Sequence, residues 1–245
     1  MAAQWTIDRL IRRETRILAA LCVIAIAGFF ATRALGSFNR RVARADAARW
    51  QAIGASRLAS GDAPAAADAF RTASLIDRDD RGHRLALADA LRGTGDNSAA
   101  LDVLLRLREA YPEDVDVNRG LARLEAARGN TDDAVRYYQA AVLGLWQPSH
   151  LDERRTLRIE LIRFLLDRGA AARALAEALK LSGEIADEPA AHVTAGDLLL
   201  RSGSASRALA QFRAALRLDP HNAAAMAGQR EAAEAIARQP PEESR

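Results

Sequence analysis

Along residues 47–222 apolar positions recur at the three-to-four-residue interval of helices that bury one face, with charged residues between them. No run of alternating β-branched residues suggests a sheet. Glycines interrupt the pattern at Gly61, Gly95, Gly129, Gly169 and Gly203, so the spacing is 34 residues three times and 40 once. Five residues after each stands an alanine: Ala66, Ala100, Ala134, Ala174, Ala208. Four residues further come Phe70, Leu104, Tyr138, Ala178 and Phe212. A fixed period of this length means one supersecondary unit copied several times. The glycine predicts the end of one helix and a tight turn. The alanine predicts close helix approach, and the larger residue one turn on predicts the plug between paired helices. Ala178 replaces that plug in the fourth copy, whose helices are expected to pack least firmly.

Trp50-x2-Ile53-Gly54, the alanine with its aromatic, and Pro112 and Pro220 at unit ends resemble the tetratricopeptide repeat. Arg57 and Glu125 depart from its usual aromatic, and Arg78 from its closing proline. The resemblance implies an all-α, right-handed α-solenoid of about five helix pairs over residues 47–222. Its units are 47–80, 81–114, 115–154, 155–188 and 189–222, with a capping helix at 223–238 and a disordered tail at 239–245. It also implies recognition of a protein or peptide segment.

Composition narrows this further. The chain of 245 residues is 49% hydrophobic but only 5% aromatic, as alanine- and leucine-rich helical arrays are. Its net charge is +3 and its acids and arginines are interspersed, which argues against a nucleic-acid footprint. Cys22 is the single cysteine, so no internal disulfide framework exists.

Residues 1–16 form a basic tail, and Ile17–Ala31 carries no charge between Arg16 and Arg33. Residues 17–35 are therefore expected to be one transmembrane helix that holds the protein in the lipid bilayer. The uncharged run is slightly short for the ~30 Å hydrocarbon core, and flanking arginines can snorkel to the interface. A cleaved signal ending near Ala34-Leu35-Gly36, a lipoprotein signal using Cys22, and a buried core helix are the competing readings. Arg9, Arg12, Arg13 and Arg16 precede the run, whereas Arg33, Arg40, Arg41, Arg44 and Arg49 follow it, so the positive-inside rule nearly ties. The long basic tail favours a single-pass bacterial inner-membrane protein with its repeats in the periplasm. The linker 36–46 has no proline and is expected to continue as helix into the first repeat.

No catalytic motif stands out. His83, His150, His192 and His221 are scattered without ligand spacing, and no HExxH, CxxC, phosphate loop or G-x-S-x-G occurs. The expectation is no enzyme, no cofactor, no metal and no small-molecule substrate. By resemblance, the first helix of each pair lines a concave groove, which places Gln51, Asp89, Arg92, Asp116, Arg119, Arg123, Arg163, Asp197 and Arg201 there. Arg92, Arg119, Arg123, Arg163 and Arg201 are the candidate partner-binding residues, since guanidinium forks suit carboxylates. The same arginines could instead pair with Asp89, Asp116 and Asp197. The Lys and Asn pattern of carboxylate-clamp members of the family is missing. Six extra residues around Leu145–His150 make a loop in which Trp146 is either a contact residue or the cover of a repeat seam. The expected function is a non-enzymatic, membrane-anchored scaffold that recruits a partner to an envelope complex serving secretion, polysaccharide export or cytochrome maturation. A chaperone-like or regulatory adaptor on the cytoplasmic side is the alternative.

Overall fold

The computed structural model describes residues 2–238, and in its first helix it describes side chains from Leu21 onward, apart from Cys22 and Val23. The described residues form eleven α-helices, one 3-10 turn and no strand. They are α1 (Ala2–Ala59), α2 (Ala63–Ile76), α3 (Arg81–Thr94), α4 (Asn97–Ala110), α5 (Val115–Arg128), α6 (Thr131–Leu143), α7 (Leu151–Asp167), α8 (Ala171–Ser182), α9 (Pro189–Arg201), α10 (Ala205–Leu218) and α11 (Ala223–Arg238). The chain divides into two compact units, residues 1–87 and 88–245.

The turn that defines the repeat is visible atom by atom at Gly129. Its φ of 83° lies in the left-handed region that only glycine adopts without strain. Gly129 N–H donates to Ala126 O, and Asn130 N–H reaches back to Glu125 O at 2.9 Å. That pair of bonds satisfies the last carbonyls of α5 and reverses the chain. The same turn recurs at the other four spaced glycines, and these five are the only residues with positive φ among those described. Asp62, Asp96 and Asp114 then cap the N-termini of α2, α4 and α5 by accepting from backbone N–H groups.

In the first unit α1 packs on α2 through Ala47, Ala66 and Phe70. Gly54 makes room there, since a Cβ on it would lie 2.5 Å from the Phe70 ring. In the second unit successive helices from α4 to α11 pack on one another, and α9 also touches α7 and α11. Ala100, Ala134, Ala174 and Ala208 are at most 1% exposed. Phe212 is fully buried between two glycines, for a Cβ on Gly196 or Gly228 would come within 2.7 or 2.3 Å of its ring. Thus α11 closes the last pair by offering Gly228 to an aromatic that would otherwise face water. Tail residues 239–245 lie outside the described residues.

The six extra residues form a 3-10 turn at Pro148–His150 and lengthen α7, which starts at Leu151, ahead of the expected boundary at 155. In the fourth pair, where Ala178 stands in place of an aromatic, a buried ionic contact joins the apolar one made by Leu161, Leu165, Ala174 and Leu181. Arg158, with a side chain 5% exposed, donates to Glu177 at 2.9 Å and to Glu184 at 3.1 Å.

α1 runs without a break from Ala2 to Ala59. Among the described residues no helix is long and apolar enough to cross a membrane, so the structure gives no support to the span expected over 17–35. The uncharged run Ile17–Ala31 lies partly outside the residues whose side chains are described.

The glycine–aromatic fit gives a double-mutant test. Gly196→Ala should cost about 1–3 kcal/mol through overpacking against Phe212. Phe212→Ala should cost about 3–5 kcal/mol. In the Phe212→Ala background the alanine at 196 should no longer destabilise, which thermal unfolding of the four proteins measures as a coupling energy.

Candidate functional site

The polar face of the first helices in the second unit carries the candidate residues, and each sits on an odd-numbered helix: Arg92 on α3, Arg119 and Arg123 on α5, Arg163 on α7, Arg201 on α9. They are not an open row of cations. Arg123 grips Glu160 of α7 with two bonds of 2.7 Å, from Nε to Oε1 and from Nη2 to Oε2. The hydroxyl of Tyr138 on α6 donates to the same Oε1 at 2.8 Å. One carboxylate therefore ties three helices together. Arg119 pairs within its helix with Asp116 at 2.7 Å, and Arg92 with Asp89 at 3.6 Å. Arg201 lies 3.7 Å from Asp167 of α7. Arg163 is exposed, and among the described residues it has no acid partner. Arg163 is therefore the member left for an external acid, while Arg119, about a third exposed, is held by Asp116. Arg123 is a clamp within the fold.

Electrostatics confirm which groups share this face. Burial alone would raise the Glu160 carboxyl, but hydrogen bonds from Arg123 and Tyr138, with a contribution from Arg119, hold it below the usual range. Burial, then the bond to Glu160, pushes the Tyr138 phenol far up. At the other end of the face Asp197 is raised, first by burial and then by Glu231 of α11. Asp197 is thus opposed by another acid, with Arg201 only partly offsetting it.

Trp146 is half-buried, and its indole N–H donates to Ala141 O at 3.0 Å and Val142 O at 3.1 Å. These are carbonyls of the last turn of α6, of which Ala141 O also accepts from Gly144 N–H, so the ring caps a helix. Leu143 and Leu145 beside it are more than 80% exposed. Next to this loop a cavity of about 550 Å³ is lined by Val142, Leu143, Arg154, Arg158, Lys180 and Glu184, among others. The sequence reading missed this charged cluster, and Arg158 of a repeat with no aromatic was its one signal. Tyr137, held between the guanidinium groups of Arg108 and Arg136 at 5.0 and 4.9 Å, was missed as well.

A tetratricopeptide repeat family model matches residues 85–150 and 163–223, more than half of the chain. The chain belongs to the tetratricopeptide repeat family. No curated protein matches it in sequence. Among solved structures, this repeat protein is similar to Pseudomonas aeruginosa pilF, with 17% identity, a TM-score of 0.56, and coverage of 81% of this chain and 86% of that one. It is also similar to the C-terminal part of a repeat-containing protein from Cytophaga hutchinsonii, with 14% identity, a TM-score of 0.55, and coverage of 75% and 70%. The MamA protein matches at 16% identity and a TM-score of 0.51, over 70% of this chain and 91% of that one. These likenesses show the fold. Members of the family are protein-interaction scaffolds.

Two tests follow from the charge network. A carboxyl held below its ordinary value contributes stability that is present above about pH 4.3 and is lost as pH falls through the folded-state value. Glu160→Gln should therefore destabilise at neutral pH by about 1–3 kcal/mol and flatten the acid limb of the stability curve. Asp197 has the opposite sign, so Asp197→Asn should be neutral to stabilising at pH 7, as urea unfolding across pH will show. The Arg158–Glu177 pair is the second test. Glu177→Ala removes the buried partner of Arg158, leaving it only the half-buried Glu184, and should cost about 3–5 kcal/mol. Since Arg158 Nε and Glu184 Oε2 are buried without partners, replacing Arg158 with Met and Glu177 with Leu together should recover most of that loss.

Proposed function

We infer that this protein is a non-enzymatic scaffold, held by its N-terminal run in the bacterial inner membrane, that recruits one protein segment to an envelope assembly. The recruiting surface is the polar face of α5 and α7. The observation that carries this reading is the exposed Arg163, which has no acid partner among the described residues, on a face otherwise neutralised from within. An acidic or carboxylate-bearing segment meets the free guanidinium of Arg163 there and competes with Asp116 for Arg119, and Arg123 with Glu160 holds their helices in place. Each exposed pair is worth only about 0.2–1 kcal/mol. Short peptides should therefore bind weakly and lose affinity with salt.

Support for the anchor comes from α1. Leu21, Ile24, Ile26, Phe29, Phe30 and Leu35 are each 57–66% exposed on a helix that carries no charge between Arg16 and Arg33. Such a surface calls for an apolar medium. The basic tail before the run favours a periplasmic repeat region, within an assembly of the secretion, polysaccharide-export or cytochrome-maturation kind.

Arg123→Glu is the wrong probe of binding, because it breaks the clamp to Glu160. Arg119→Glu/Arg163→Glu should stay folded by circular dichroism yet recover at least several-fold less of a partner cross-linked to the wild type in native membranes. Equal recovery would make this face a solvated surface only. In the same strain, the full-length chain should sediment with membranes and resist a high-salt wash. A reporter fused after Arg245 should be active outside the cytoplasm. Cytoplasmic activity would favour the adaptor reading.

A further inference from the structure

The first unit holds a set of side chains that no part of the scaffold reading uses. Asp77, the last-turn cap of α2, and Asp80 and His83 at the start of α3 each offer one ligand atom, and these atoms all lie within 4.8 Å of one another. The sequence spacing is Asp-x2-Asp-x2-His, on a turn that leads into a helix. His83 is nine-tenths buried, its side chain 9% exposed, although it stands beside exposed charges. Its Nδ1 lies 3.0 Å from Gln51 Oε1 of α1. An amide oxygen only accepts, so Nδ1 carries a proton and Nε2 is the ring atom left to face a ligand. That atom is 3.8 Å from Asp80 Oδ2, too far for a hydrogen bond. The other oxygen of Asp80 is already occupied by the N–H of Gly82 at 2.7 Å, which turns Oδ2 towards the histidine. Asp77 completes the set, and its paired cation is Arg44 of α1, whose Nε is 3.7 Å from Asp77 Oδ2, with Arg40 and Arg78 on the same surface.

We propose that Asp77, Asp80 and His83 form a binding site for a divalent transition-metal ion, with Gln51 as the outer-shell group that fixes the imidazole. One imidazole and two carboxylates are a ligand set suited to zinc, manganese or ferrous ions. A histidine ligand commonly donates its other N–H to an oxygen acceptor, which is the role Gln51 fills. Metal–ligand bonds of about 2.0–2.2 Å require the three atoms to draw together. Asp80, half exposed, has the freedom to do so. The ion replaces Arg44 as the counter-charge of Asp77. Through His83 and Gln51 it fastens the turn between α2 and α3 to α1, so occupancy stabilises the first unit.

The test is titration of the untagged full-length protein with Zn²⁺ alone, followed by calorimetry and thermal unfolding. The expected result is one ion per chain, micromolar or tighter, with a rise in melting temperature. Asp80→Asn, at a half-exposed position where folding is not at stake, should weaken binding by about tenfold or more and abolish the rise. Gln51→Ala should weaken it by about 10-fold, as loss of an outer-shell partner does. Arg44→Gln should tighten binding, because the competing cation is removed. Nitrogen NMR should show Nε2 of His83, not Nδ1, moving on addition of metal. Absence of binding into the millimolar range, or binding unchanged by Asp80→Asn, overturns the site.

Discussion

Each turn between the helices of a pair depends on one residue taking a left-handed backbone conformation. At Gly129, as at the four glycines that share its spacing, the reversal lets two backward hydrogen bonds close the helix end. It also fixes where the next helix begins, and hence which residue meets the helix before it. Five residues on, that residue must be small, and alanines at most 1% exposed occupy the position. One turn later Phe70 and Phe212 enter where the opposing backbone lacks a Cβ, at Gly54 and at Gly196 and Gly228, whereas the Tyr138 ring is buried with no glycine against it. Turn, close contact and plug are thus three consequences of one dihedral angle. A side chain at any of these glycines would be strained however much space surrounded it.

Once the apolar contacts are made, the charges must be arranged around them. Thirty-five basic and 32 acidic side chains almost cancel, and the structure shows them cancelling locally. Within helices the pairs stand three residues apart, as in Asp116–Arg119 and Asp133–Arg136. Between helices they are fewer and more consequential. Glu160 links α5, α6 and α7, and Arg158 adds a buried ion pair to the apolar packing of the fourth pair. Where Ala178 leaves no aromatic plug, the fourth pair thus carries buried ionic contacts beside its apolar ones, and breaking such a pair by removing one partner is costly.

The fold was legible in the sequence because a backbone requirement leaves a residue-specific mark, and glycine followed by alanine at fixed distance is such a mark. The placement of Arg92, Arg119, Arg123, Arg163 and Arg201 on first helices was legible for the same reason. Their partners were not. Arg123 lies six residues before its turn glycine and Glu160 nine before the next. That offset of nearly one helical turn arises from how the helices lie side by side, which a repeat period does not encode. The Asp77, Asp80 and His83 cluster escaped notice because histidines were compared with one another and not with the acids of the same turn. Trp146 could be read either way until its N–H was seen on two carbonyls.

The unbroken course of α1 has a mechanical meaning. Between Ala31, where the uncharged run ends, and Ala47, where burial against α2 begins, the chain is helix throughout. At 1.5 Å per residue that stretch is a strut of about 24 Å, with no glycine-rich joint to absorb torque. Whatever grips the apolar run therefore sets both the standoff and the azimuth of the first helix pair. Adding or removing a single residue in the strut would shift the height by only ~1.5 Å but swing that pair by roughly 100° about the axis. The spacer is thus tolerant in length and exacting in angle, and evolution could re-aim the first repeat by an indel without touching its packing.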